Sequence, residues 1–422
     1  MYEKYWLGFL GCHKIAGPSS VCNRERRRMS SPILLTQISQ DASVPNWLEQ
    51  KDLELLVKQE IPDLRKIESI RYKWENQLAQ PALCAYLQVV TGENKKRQVS
   101  YLIKSPESVS IGLKVPIKGD FSVERNIYDN VLPALEELYK NADKIIHFSP
   151  PVIQGKQKSN HLYIEYILNR GYSVANSLKG LSVNAMEGVL SKLAAYHAGT
   201  ACYIANNFAK IKELPKLGEH SKSGNEAAEL KSLYQMRFHE SLRSNEAREY
   251  EDKVKSFQKY VKSNAGILDL RTSFNVILNG SCWPNNLLIQ SDAFGNVKDA
   301  LFSDFHAAKY GPAVYDLFSL LLTAPAEKTI RFDGYVKFYH DQLTENLSLL
   351  KFQAKKPSLT DLQLDLLKYG HWAFEFATEI LPILLSEFGS NDIDELFKNP
   401  AFGAQIRELL PWLENRGYFE ED

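Results

Sequence analysis

The candidate chemistry of this 422-residue chain is concentrated in two neighbouring stretches. They are Val276-Ile-Leu-Asn-Gly-Ser-Cys-Trp-Pro-Asn-Asn-Leu-Leu-Ile289 and Leu301-Phe-Ser-Asp-Phe-His-Ala-Ala-Lys-Tyr-Gly-Pro-Ala-Val-Tyr-Asp-Leu317. In the first, an apolar run ends in a polar loop that exits through Asn286. In the second, Asp304 closes an apolar run that follows a Ser-Asp-x-x-Gly-Asn turn at 291–296. A hairpin of this kind brings Asn286 and Asp304 to one end of a sheet. An amide oxygen and a carboxylate meeting there are hard oxygen ligands of the sort Mg²⁺ takes when it also holds substrate phosphates. The same residues read equally well as a capped turn and an exposed acid.

The elements that must position them fall into two parts. From 66 to 104 the pattern is that of strands: Ile67–Tyr72, Ala85–Val90 and Val99–Lys104, the last two joined across the polar turn at 92–95. A helix is expected over Ser122–Lys140, because Ile127, Val131, Leu135 and Leu138 recur on one face. Pro133 inside it predicts a kink or a break. Strand candidates at Pro151–Ile153 and Leu162–Ile167 complete a small antiparallel sheet with helix on one side. An amphipathic helix carrying Leu53, Leu55 and Leu56 precedes it. After Gly171 the chain turns helical, with segments at Val183–Ala198, Ala227–Phe238, Glu249–Lys262, Thr360–Tyr369 and Trp372–Leu385. One β insert interrupts them, formed by Phe274–Leu278, Leu287–Ile289 and Ala300–Ser303. The fold class is α+β: a small antiparallel β N-lobe followed by a larger helical C-lobe.

Composition narrows the function classes. With 44% hydrophobic and 24% charged residues, the chain is neither wholly disordered, nor collagenous, nor membrane-embedded. Basic and acidic side chains both number 51, so no global field favours a nucleic-acid partner. The five cysteines are scattered without a C-x-x-C pair, which argues against structural zinc and a disulfide framework and favours a reducing compartment. No apolar stretch reaches the 18 or so residues of a membrane span. A cytoplasmic protein with no membrane partner is the expectation. Residues 1–28 mix aromatics with the run Arg24-Glu25-Arg26-Arg27-Arg28 and show no period; they read as an unstructured leader or, alternatively, a targeting patch.

The chain resembles the insect ecdysteroid kinase-like (CHK kinase-like) family, relatives of choline kinases and aminoglycoside phosphotransferases. That family's catalytic loop reads His-Gly-Asp-x-Trp-x-x-Asn, followed by an Asp-Phe-Gln segment that ends in x-Asp-Leu. Gly280, Trp283, Asn286, Asp304, Phe305, Gly311, Asp316 and Leu317 stand at matching positions. Trp47-Leu48, Gly171-Tyr172 and Leu193-Ala-Ala-Tyr-His197 extend the match from about Pro45 to the C-terminal helices. The resemblance implies a two-lobed protein-kinase-like fold with ATP and Mg²⁺ as cofactors. Residues 1–44 would be a disordered leader, 45–167 the nucleotide-binding lobe and 168–422 the helical catalytic and acceptor lobe. Lys104 would pair the nucleotide phosphates, and Glu124 would hold that lysine. Asn286 and Asp304 would be the metal ligands, and Asp316 a structural acid bracing the catalytic loop. Taken as isolated residues, Lys104 and Glu124 read as surface charges. His197 reads as a packed helix histidine rather than a catalyst.

The departures bear on function as much as the matches. Ser281 occupies the position of the family's catalytic aspartate and Asn279 that of the preceding histidine, so His-Gly-Asp has become Asn-Gly-Ser. His306 replaces the usual Gln, and Tyr166 stands where the hinge usually has an acid. The turn between the first two strands, Glu75–Cys84, contains no glycine, and Pro81 removes a backbone donor that could have met phosphate. Beside the plain reading of a stable paralogue whose function has decayed, two readings follow. One is an ATP-dependent O-phosphotransferase acting on a hydroxyl of a steroid or xenobiotic, weakened by loss of its base. The other is a pseudokinase that binds a small hydrophobic hydroxylated ligand or a protein. The aromatics Tyr369, Trp372, Phe374, Phe376 and Phe388 could line an acceptor site, but read first as core.

Overall fold

Alternation in the second strand explains how the N-terminal part is layered. In the computed structural model, helix α1 (Gln50–Glu60) leads into strands β1 (Leu64–Glu75), β2 (Ala82–Thr91) and β3 (Lys96–Lys104). Helix α2 (Phe121–Asn126), helix α3 (Leu132–Lys140) and strand β4 (Leu162–Glu165) follow, and the sheet runs β1-β2-β3-β4, antiparallel at each pairing. The structure describes Asn46, Leu48 and residues 50–75, 82–92, 94–106, 119–153, 161–207, 214–217, 226–264, 270–386 and 392–420. The expectations for residues 1–44, Trp47, the 76–81 turn with Pro81, and Phe388 lie outside these described residues. Residues from Gln40 onward belong to one compact unit.

Successive strand residues point to opposite faces. Leu83, Ala85 and Leu87 join Tyr101 and Ile103 in a core cluster with Leu53, Leu56 and Val57 of α1. Ala82, Cys84 and Leu102 face the other way, toward Ile127, Val131 and Leu135. The sheet is therefore covered by helix on both faces rather than on one. β2 is apolar at odd and even positions alike, which leaves neither face fit for water.

Pro133 does not end the helix, although the α-helical hydrogen bonding is interrupted just before it. A single π-helical turn, Ile127–Val131, joins the two segments, and the Leu132 N–H reaches back to the Ile127 carbonyl. Pro133 then sits in the first turn of α3, where its missing N–H is not needed. The widened turn gives the proline ring room and keeps the helix continuous.

Strand β5 (Tyr172–Val174) leads into α4 (Val183–Asn206), capped by Ser182 and buried on all sides from Leu193 to Tyr203. Helices α5 (Glu226–Ser241) and α6 (Glu251–Asn264) precede strands β6 (Asn275–Leu278), β7 (Leu287–Ser291), β8 (Val297–Phe302) and β9 (Lys309–Pro312). The expected hairpin is β7–β8, whose turn Gly295 closes at φ +85°. β6 does not join that hairpin; it pairs with β9, while β5 flanks β7. Helices α7 (Val314–Thr323), α8 (Lys328–Leu349), α9 (Leu359–Lys368), α10 (Gly370–Glu375), α11 (Leu381–Leu384), α12 (Ile393–Lys398) and α13 (Pro400–Asn415) complete the helical lobe. Among the described residues, no helix is long and apolar enough to cross a membrane. Tyr369, Trp372, Phe374 and Phe376 are all core residues, as the bland reading of that aromatic series had it.

A second π turn, Phe376–Ile380, joins α10 to α11 and carries the buried Glu379. Gln235 Nε2 donates to its Oε1 at 2.9 Å, and Lys231 lies 2.8 Å from Glu375 and 3.8 Å from Glu379. Burial pushes the Glu379 carboxyl up to about 8; the nearby Lys231 opposes the rise and Glu375 adds to it. A raised carboxyl pKa means the folded chain holds a proton that the unfolded chain releases near pH 4.5. This group's contribution is therefore present in full below that pH and is lost as pH climbs to 8, at up to about 1.4 kcal/mol per pH unit. Thermal unfolding from pH 5 to 8 should show Glu379→Gln gaining steadily on the parent. A difference that stays constant with pH would overturn the assignment.

Candidate active site

Lys104 ends β3 on the face that meets α2, and the residue is buried at 5% exposure. Asp120 caps α2 by accepting from the Ser122 N–H at 2.7 Å, which sets the first turn and places Glu124 opposite the strand end. Lys104 Nζ donates to Glu124 Oε1 at 2.5 Å and to the Ser303 carbonyl at 3.2 Å, and lies 3.6 Å from Asp304 Oδ1. Burial works against the ammonium, but Asp304 and Glu124 outweigh it and hold the pKa above its ordinary value. Neither Lys104 nor Glu124 is a surface charge. Truncating one partner of such a buried pair strands the other, so the arrangement persists only when built as a unit.

The β7–β8 hairpin carries the opposite wall. Leu287 pairs with Phe302, so Asn286 and Ser303 face each other one step on, and the Ser303 N–H donates to the Asn286 carbonyl at 3.0 Å. Asn286 Nδ2 donates to the Ser281 carbonyl at 2.9 Å, which turns the amide and leaves Oδ1 buried without a hydrogen-bond partner. Asp304 is likewise fixed through one oxygen. Its Oδ1 accepts from the His306 N–H at 3.1 Å and lies 2.6 Å from His306 Nδ1, while Oδ2 is buried and unpartnered. Burial raises the Asp304 pKa, yet His306 and Lys104 overcome this and hold the carboxyl far below the usual range. Asp304 is thus a buried carboxylate and not an exposed acid.

Two orphaned hard oxygens at one end of a hairpin, one of them ionised, match the donor set of a cation that draws its remaining ligands from phosphate and water. Among the described residues no group of three or more His, Cys, Asp or Glu could hold a metal by itself. The residues therefore fit Mg²⁺ as a partner of bound nucleotide rather than as a caged structural ion.

The 279–281 loop hangs from Asp316 in α7. The Asn279 and Gly280 N–H groups donate to Asp316 Oδ2 and Oδ1 at 2.7 and 2.9 Å, and His197 Nε2 lies 3.1 Å from Oδ2. Gly280 adopts φ +79°, and a Cβ there would fall 2.0 Å from the Ala307 carbonyl oxygen, so only glycine fits. Asn279 Nδ2 donates to the Asp304 carbonyl at 2.8 Å, and its Oδ1 accepts from the Ser281 N–H at 3.1 Å. Ser281 is fully buried, and its Oγ lies 3.5 Å from Asn279 Oδ1. One continuous network thus joins Lys104, Glu124, Asp304, Asn279, Ser281, Asn286 and Asp316. Sequence reasoning missed Tyr128, whose hydroxyl lies 3.4 Å from the Ser303 carbonyl and whose ring meets Phe305 edge-on at 5.4 Å. Nothing in its spacing distinguishes it from a core aromatic.

The model described as the ecdysteroid kinase-like family matches residues 83–352. No curated protein matches the chain. Among solved structures, the microcompartment-associated aminopropanol kinase aligns at 10% identity and TM-score 0.40, covering 86% of this chain and 98% of its own. The spectinomycin phosphotransferase APH(9)-Ia, in complex with ADP and spectinomycin, aligns at 12% identity and TM-score 0.39, covering 89% of this chain and 99% of its own. The aminoglycoside phosphotransferase APH(3'')-Id from Streptomyces rimosus, in complex with ADP and streptomycin, aligns at 11% identity and TM-score 0.27, covering 72% of this chain and 96% of its own.

Proposed function

The chain belongs to the ecdysteroid kinase-like family, and on that premise we propose that it binds ATP with Mg²⁺ and a small hydrophobic hydroxylated ligand, but transfers phosphate slowly or not at all. The observation that carries the nucleotide half is the pairing of the buried Lys104–Glu124 bridge with the orphaned oxygens Asn286 Oδ1 and Asp304 Oδ2. Lys104 would engage the nucleotide phosphates, held in line by Glu124. Asn286 and Asp304 would hold the cation, which when bound neutralises charge between the β- and γ-phosphates.

Ser281 carries the other half. A kinase aspartate at this position accepts the acceptor hydroxyl's proton and aligns that hydroxyl with the γ-phosphate. A serine hydroxyl can hydrogen-bond but takes no proton at neutral pH. General-base help of roughly 10²–10⁴ is therefore lost, while positioning by the rest of the loop is kept. This favours a binder, a pseudokinase in effect, over an efficient kinase. The acceptor class, a steroid or xenobiotic hydroxyl, comes from family membership, and a cytoplasmic setting from the scattered cysteines.

The test is ligand-dependent thermal stability of the full chain. ATP with Mg²⁺ at about 100 times its dissociation constant should stabilise the fold by about 2.7 kcal/mol, and Lys104→Met should abolish the gain. No stabilisation of the parent would overturn the nucleotide reading, and with it the kinase reading.

A further inference from the structure

The structure assigns one more residue to the proposed cation site: we infer that His306 is a positioning residue that fixes the Asp304 carboxylate for a divalent cation and ties it to the start of the helix carrying Glu124. The inference deepens the nucleotide-site reading and rests on it for the cation's role beside phosphate.

Two hydrogen bonds and one ion pair converge on Asp304 Oδ1. The His306 backbone N–H lies at 3.1 Å, its ring Nδ1 at 2.6 Å, and Lys104 Nζ at 3.6 Å. The carboxylate cannot rotate without breaking them, so Oδ2 stays where it is, buried and unpartnered. Because Oδ1 only accepts, the ring nitrogen facing it must carry a hydrogen. Both the neutral Nδ1–H tautomer and the imidazolium meet that condition, so the contact does not depend on the ring's charge.

The other side of His306 is bound to the helix start. Its carbonyl accepts from the Asp120 N–H at 2.8 Å, and Asp120 is the residue that caps α2. At Gly119 a Cβ would fall 1.5 Å from the ring's Cδ2, so the chain approaches that edge of the imidazole more closely than any side chain allows. The helix then returns Glu124 to Lys104 at 2.5 Å and to the Phe305 N–H at 3.3 Å. Asp304, His306, Asp120, Glu124 and Lys104 thus form a closed circuit, in which displacing the ring frees the Asp304 carboxylate while Glu124 keeps its own bonds to Lys104 and the Phe305 N–H. Groups that orient a metal-binding carboxylate typically matter 10–100-fold for affinity. A glutamine, the usual family residue here, also offers an N–H donor to the same oxygen; alanine does not.

The experiment uses the full chain as wild type, His306→Ala, His306→Gln and Gly119→Ala. Mn²⁺ binding is read by loss of the free-ion electron paramagnetic resonance signal, with and without ATP, and ATP binding is read separately by thermal shift in EDTA. The expected result is that His306→Ala and Gly119→Ala weaken Mn²⁺ by about 10–100-fold. His306→Gln should stay close to wild type, and the metal-free ATP shift should survive in all four chains. Unchanged Mn²⁺ affinity in His306→Ala, or no Mn²⁺ binding by wild type in either condition, would overturn the inference. Should His306→Ala fail to fold, Gly119→Ala decides, since it moves the ring from outside the site. If the metal-free ATP shift is absent while Mn²⁺ responds as expected, the nucleotide reading falls and the role of His306 stands.

Discussion

Ser281→Asp should raise phosphoryl transfer from ATP to a responsive hydroxylated acceptor by about 10²–10⁴ over the parent chain, the range a positioned general base supplies. The loop is already built to present it. Gly280 keeps its left-handed turn, Asp316 holds both loop N–H groups, and Asn286 Nδ2 is anchored on the Ser281 carbonyl. One local obstacle remains: Ser281 Oγ lies 3.5 Å from Asn279 Oδ1, and a carboxylate there would press against that amide oxygen. The gain should therefore be larger in Asn279→His/Ser281→Asp, which restores both family residues, than in the single variant. The assay is product formation across a panel of hydroxylated steroids and xenobiotics, beside an ATP thermal shift on the same preparations. A parent as fast as the variant would mean that another residue acts as base. A variant that binds ATP yet stays inert across the panel, with the double variant equally inert, would mean that the missing carboxylate is not what limits turnover.

How far these features could be read beforehand depended on whether they were local. The apolar strand runs in 82–104 and the Asn286–Asp304 hairpin are short-range patterns that the sequence displays openly, and they appear in the fold with boundaries shifted by a few residues. The lysine–glutamate bridge spans 20 residues and the Asn279–Asp304 bond spans 25, so their partners share no local pattern. Only the family resemblance put Lys104 and Glu124 together. β6 pairs with β9 rather than β7, and the same register carries Gly280 up to Ala307, a tertiary fact invisible in hydrophobic spacing. The π turn before Pro133 was hidden for another reason: a proline within a helical pattern signals a break, and a one-residue widening satisfies the same steric demand at lower cost. His306 stood out in the sequence as a substitution, but its meaning depended on the neighbouring Gly119, 187 positions earlier and brought there by the fold.

Asp316→Ala should cost the fold about 3–5 kcal/mol in chemical denaturation, the range for stripping one partner from a buried charged network. Asp316 is fully buried, and its two oxygens satisfy the Asn279 and Gly280 N–H groups and His197 Nε2. Removing the carboxylate strands all three, and two of them are backbone donors that no side-chain movement can relocate. His197 makes the arrangement directional. Its Nδ1 lies 2.6 Å from the Tyr339 hydroxyl, so with Nε2–H donated to Asp316 the other nitrogen is free to accept from the tyrosine. The chain α8 Tyr339, α4 His197, α7 Asp316 and loop Asn279–Gly280 therefore links three helices to the 279–281 turn through buried side chains. Asp316→Asn is the informative companion, because it keeps the volume yet turns one acceptor into a donor facing donors, and it should lose most of the same stability. The turn would also be released, so both variants should show a weaker ATP thermal shift than the parent at matched ligand concentration. A loss below about 1 kcal/mol in Asp316→Ala would mean that the two loop N–H groups find water or another acceptor. In that case Asp316 would not be what braces the turn.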